Sequence, residues 1–150
     1  MRDIRSIYCS AERKAVEGAE ILAAGLGLGF TVIEALGENR SSTGYLPKAE
    51  FEATAELFFA RPSESVRGWE RATDAQRRIV AAMADILLRQ PSGGSIAIVS
   101  HGAVGALYLC HLKRVPISRT ADQPATNGGN YFAFDTDGAV LRHGWCSIDD

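Results

Sequence analysis

The sequence predicts an α/β fold: a mostly parallel sheet with helices on both faces, ending in an antiparallel hairpin. Three observations carry this. Apolar β-branched runs alternate with helical patterns through the first two thirds of the chain. The run Ile96-Ala97-Ile98-Val99 suits a strand buried on both faces. Near the end, Tyr131–Phe134 and Ala139–Leu141 flank Asp135-Thr136-Asp137-Gly138, whose Asp-Gly pair is a strong hairpin signal.

Taken in order, Ile4–Cys9 reads as a short strand and Ala11–Ala24 as a helix. Ala15, Ala19, Leu22 and Leu26 recur at helical spacing as its core face, and Gly25, Gly27 and Gly29 break it. Phe30–Leu36 is the second strand candidate, followed by a polar loop from Gly37 to Pro47 that carries Glu38 and Arg40. Lys48–Ala60 reads as a helix with Phe51, Ala55 and Phe58 on one face. Thr73-Asp74-Ala75-Gln76 looks like a capping box opening the longest helix, striped by Ile79, Met83, Ile86 and Leu87. Pro91, Gly93 and Gly94 end that helix. Ala103–Leu112 reads as an apolar helix, and Lys113–Gly129 as irregular.

A chain of 150 residues is expected to form one domain, 1–150, without internal repeat or linker. A net charge of -2 gives no bulk attraction to nucleic acid. No apolar run approaches a membrane span, and no secretory signal opens the sequence. Cys9, Cys110 and Cys146 have no metal-ligand spacing and read as buried thiols of a cytoplasmic protein. No residue cluster suggests a metal or another cofactor.

Ser100-His101-Gly102 follows the central strand directly, so His101 is expected at a strand's carboxyl end, before a helix N-terminus. Ligands of open α/β sheets bind there, and unpaired helix amides favour anions. Two readings of His101 stay open on this geometry: a side chain aimed at a bound anion, or one that merely caps the helix. Arg13 and Lys14 fall in the first turn of a helix, where cations oppose its dipole unless an anion binds. Solvated surface charge is the plainer reading of that pair, as it is of Glu38. All three places lie at or just beyond strand carboxyl ends, so they can converge on one crevice. Tyr45, Trp69 and Asn127 are loop residues that would line it or be purely structural.

These pieces, in this order, resemble the histidine phosphatase superfamily, the phosphoglycerate mutase-like proteins. The family's Ser-Pro-x-x-Arg-Ala-x-x-Thr-Ala segment is matched by Ser10-Ala11-Glu12-Arg13-Lys14-Ala15-Val16-Glu17-Gly18-Ala19. Its Leu-x-Glu followed by Gly is matched by Leu36-Gly37-Glu38 and Gly44, and its Ser-His-Gly by Ser100-His101-Gly102. The resemblance implies a small phosphorylated substrate or free phosphate, and no cofactor or metal. It implies that His101 donates to the phosphoryl group and that Glu38 acts as general acid and then base. Ser10, Arg13, Lys14 and Gly102 would bind phosphate. Lys14 stands where the family has an arginine and lacks its planar fork. Arg13 is adjacent, but one helical step turns it about 100° away.

The family's nucleophile is a histidine in an Arg-His-Gly motif that closes a strand preceding all of these. Nothing before Ile4 supplies that strand, so the sequence reads as an N-terminally shortened member, a phosphatase or mutase with impaired chemistry. The alternative is a noncatalytic phosphate-binding or interaction domain. Leu141-Arg142-His143-Gly144 spells the motif, as a circular permutation would, but the hairpin context favours an edge-strand side chain. An absent central strand would leave backbone groups unpaired, so the gap is expected to be filled, preferably by a homodimer partner.

Overall fold

The computed structural model describes residues 3–41, 43–90, 93–124, 129–137 and 139–149. Pro91, Asn127 and Gly138, used in the sequence reading, lie outside them. The elements are β1 (Ile4–Cys9), α1 (Arg13–Leu26), β2 (Thr31–Val32), α2 (Lys48–Ala60), α3 (Ala72–Arg89), β3 (Ser95–Val99), α4 (Gly102–Lys113), β4 (Asn130–Asp135) and β5 (Val140–Ser147). Short 3-10 turns cover Glu34–Leu36, Val66–Gly68 and Arg119–Ala121.

A parallel sheet in the order β2-β1-β3 and an antiparallel β4-β5 pair form the expected α/β architecture. Side-chain alternation along β1 and β3 splits the core into two layers. Ile7, Cys9, Ala97 and Val99 face α1, where Ala15, Ala19 and Ala23 are buried. Tyr8 and Ile98 face the larger layer built by α3 and α4, centred on Ile79, Met83, Ile86, Val104 and Leu107. The small residues on α1 let it lie close to the sheet: a Cβ at Gly18 would sit 3.4 Å from Val99 Cγ1. The hairpin packs on α4 through Trp145, whose indole donates to the Ala121 carbonyl at 2.8 Å. Gly105 admits that ring, since a Cβ there would be 3.0 Å from Trp145 Cη2.

Several sequence expectations need correction. β2 is two residues long, because after Ile33 N–H bonds the Cys9 carbonyl at 2.8 Å the chain turns into the core at Leu36. α1 runs through Gly25 and stops at Gly27, which takes the left-handed conformation at φ 67°. Leu26 and Phe51 are exposed, because Ala23 and Phe59 hold the inner positions instead. The residues Thr73–Gln76 form no capping box: Arg71 is the N-cap, no side chain caps it, and Gln76 donates to the Leu107 carbonyl at 2.9 Å. β3 is half-buried rather than buried on both faces, because among the described residues β1 is its one strand neighbour. Cys9 and Cys110 are buried but Cys146 is half-buried on the hairpin, and all three are free thiols. No described helix is long and apolar enough to cross a membrane.

Candidate functional site

The carboxyl ends of β1, β2 and β3 deliver three loops to one place. Ser10, fully buried, directly follows β1, and its amide bonds the Val99 carbonyl at 3.1 Å. Ser100 directly follows β3, and its hydroxyl donates to the Leu36 carbonyl at 2.7 Å. That bond ties the strand end to the turn preceding Glu38. His101 then extends the backbone (φ -132°, ψ 165°) at the N-cap of α4.

The His101 ring does not cap its helix. Its Nε2 atom lies 2.6 Å from Ser10 Oγ. The same nitrogen lies 2.8 Å from Glu12 Oε2. A carboxylate oxygen at that distance calls for a proton on Nε2, which then faces both Glu12 and the Ser10 hydroxyl oxygen. Ser10 Oγ also accepts the Glu12 amide at 3.3 Å.

Glu38 does the capping instead. Its Oε2 accepts the Ala103 amide at 3.1 Å and its Oε1 the Val104 amide at 2.9 Å. The anion-favouring end of α4 is therefore filled by a side chain of the chain itself. The Glu38 amide donates to Glu12 Oε2 at 2.7 Å, which links the two carboxylates through one backbone group.

The Glu38 loop is held from behind by Arg78 on α3. Its guanidinium donates to the carbonyls of Ala35 at 2.9 Å, Gly37 at 2.8 Å and Glu38 at 3.2 Å. It also pairs with Glu70 at 2.8 Å, with both side chains 14% exposed. Glu70 in turn accepts the Arg40 amide at 3.0 Å. Burial pushes the Glu70 carboxyl upward, but the Arg78 hydrogen bond, the Arg40 amide and both guanidinium charges outweigh it and hold the carboxyl below its ordinary range.

Of the residues singled out from sequence, Ser10, Glu38, His101 and Gly102 are thus brought together. Gly102 opens α4, and Gln123 lies over it: a Cβ at Gly102 would be 2.4 Å from the Gln123 amide nitrogen. Arg13 and Lys14 are exposed on the first turn of α1. Arg13 pairs with Glu17 at 2.7 Å, while among the described residues Lys14 makes no ion pair. Tyr45 is 92% exposed, and Trp69 is buried with its indole on Thr43 Oγ1 at 3.0 Å, a structural position. His143 lies on β5 against Tyr131, with Nδ1 2.8 Å from the Gly144 carbonyl oxygen.

Sequence reading missed Glu12, Glu70, Arg78 and Gln123. Glu12 sits inside the quoted Ser10–Ala19 segment and differed from its neighbours only in charge sign. Arg78 carries no local signal, because nothing in its spacing separates it from Arg77.

The family description "Histidine phosphatase superfamily (branch 1)" matches residues 1–143. No curated protein matches the chain. Among solved structures, Bacillus stearothermophilus YhfR superposes with TM-score 0.73 at 24% identity, over 95% of this chain and 73% of that one. The native mycobacterial glucosyl-3-phosphoglycerate phosphatase gives TM-score 0.72 at 21% identity, over 96% and 78%. Mycobacterial hydrolase 1 gives TM-score 0.67 at 22% identity, over 79% of this chain and 62% of that one, so this chain spans less than two thirds of that structure. At these identities the superpositions establish a shared fold.

Proposed function

The chain belongs to the histidine phosphatase superfamily, branch 1, and from that premise we propose that the crevice around His101 binds the phosphoryl group of a small phosphomonoester. One observation carries the reading. The His101 imidazole nitrogen and the Glu38 carboxylate stand at the head of α4, each held by a second partner, Ser10 at 2.6 Å and the Val104 amide at 2.9 Å. His101 would donate to an equatorial phosphoryl oxygen, and Glu38 would take a proton from the water whose oxygen forms the new P–O bond and return one to the leaving oxygen as its own P–O bond breaks. Lys14, exposed on the same turn as Arg13, would add a flexible cation, and Gly102 would offer its backbone amide at the first turn of α4. A structural neighbour being a glucosyl-3-phosphoglycerate phosphatase is consistent with phosphomonoester chemistry.

A second reading, a noncatalytic phosphate-binding domain, is favoured by where the other imidazoles lie. His111 is ten residues along the chain from His101, about 15 Å of helix. His143 is engaged on the hairpin with Tyr131 and Cys146. Neither is placed to carry a phosphoryl group beside His101. Turnover of p-nitrophenyl phosphate that disappears in His101→Ala supports the enzyme. Phosphate binding without turnover, weakened by the same substitution, supports the binding domain.

The setting follows the same reading. Three free thiols support a reducing, cytoplasmic environment. The edge of β3 away from β1 has no strand partner among the described residues, which supports pairing with a strand of a second copy. Sedimentation equilibrium of the purified protein decides between monomer and dimer.

A further inference from the structure

We propose that the Glu12 carboxylate is a built-in occupant of the anion seat beside His101, and that a phosphate ligand binds only by displacing it. The inference rests on the phosphate-binding reading above and adds a competitor to it.

One oxygen of Glu12 collects two donors: His101 Nε2 at 2.8 Å and the Glu38 amide at 2.7 Å. An imidazole N–H and a backbone N–H converging on one anionic oxygen are the contacts a phosphoryl oxygen would take. Glu12 holds the N-cap position of α1 yet gives its own helix no side-chain hydrogen bond. Its carboxylate instead crosses to the neighbouring loop.

The burial of the two partners is unequal. The His101 side chain is 11% exposed and fixed, whereas that of Glu12 is 52% exposed and can swing into water. A hydrogen bond to a carboxylate half in water is weak, so leaving costs little. A phosphate and the carboxylate cannot share the seat, because like charges at contact distance repel. Glu12 thus sets a threshold: the ligand must bind the seat better than a tethered carboxylate does.

The test is isothermal titration of the full chain with inorganic phosphate, comparing wild type with Glu12→Gln, Glu12→Ala and Glu12→Ala/His101→Ala. Removing the competitor should tighten phosphate binding about fivefold in Glu12→Ala, the scale of one net hydrogen bond. Glu12→Gln should tighten it less, because the amide oxygen still accepts from the Glu38 N–H. Formate should compete with phosphate in Glu12→Ala by refilling the vacated seat. The double variant should lose the gain. Unchanged or weaker binding in both single variants overturns the inference and leaves the phosphate reading standing. A gain that survives His101→Ala also overturns it, because the seat is then elsewhere. No binding by any variant overturns both.

Discussion

Glu38 and Val104 meet across 2.9 Å, a loop carboxylate on the third amide of α4. This contact joins the turn after β2 to the helix after β3. It gives Glu38 a structural task besides any chemical one. Glu38→Ala should therefore lower stability by about 1 kcal/mol, the usual worth of a helix N-cap. Glu38→Gln keeps one acceptor oxygen and should recover part of that loss in urea unfolding. Both should abolish any phosphomonoesterase activity, so stability and turnover part company in the Gln variant.

Arg78 is the anchor of the same loop. Arg78→Ala leaves Glu70 without its charge partner and three carbonyls without a donor. Chemical denaturation should show a loss of about 3 kcal/mol. Replacing both members, Glu70→Leu with Arg78→Met, should recover only part of this. The carbonyls of Ala35, Gly37 and Glu38 still lack their donor in the double variant. Full recovery would mean that the loop does not depend on Arg78.

Glu70 predicts an acid-side dependence of stability. Its folded carboxyl lies below the ordinary value of 4.5, so it favours the folded state wherever the unfolded group has already ionised. That contribution is whole above the ordinary value and is lost as pH falls through the lower folded value. Unfolding free energies of wild type and Glu70→Gln should differ most near neutrality and converge in acid. A gap that widens with acidification would reverse the assignment.

Ser10 is fully buried and touches His101 at 2.6 Å. Ser10→Ala should cost about 1 kcal/mol, because it removes a buried hydrogen-bond partner of the imidazole and of the Glu12 amide. The His101 ring signals in carbon–proton spectra should broaden or move. Phosphate binding should weaken along with them. Unmoved ring signals would show that Ser10 does not hold the imidazole.

Tyr108 provides an alkaline counterpart. Burial pushes its phenol from 10.0 up to about 12, while its ring packs edge-on against Phe134. A raised folded value stabilises the fold fully below the ordinary value, and that stability drains away as pH rises toward the folded one. In ultraviolet titration one tyrosine of the four should ionise last, together with alkaline unfolding.

The elements themselves were legible in the sequence because they rest on local periodicity. β1 spans Ile4–Cys9 and α2 spans Lys48–Ala60, as the apolar spacing predicts, and β3 (Ser95–Val99) contains the predicted run Ile96–Val99. The placement of His101 and Glu38 past strand ends was legible too, since strand, turn and helix follow each other along the chain. Tertiary structure decided what those side chains touch. The order β2-β1-β3 brings Ser10, Glu38 and His101 into one cluster, although 91 residues separate the first from the last. Glu12 on the imidazole and Arg78 under the loop depend on side-chain reach between elements distant in sequence. Local pattern carries no record of that reach, because an exposed cap and a charge on a helix look alike until the elements pack.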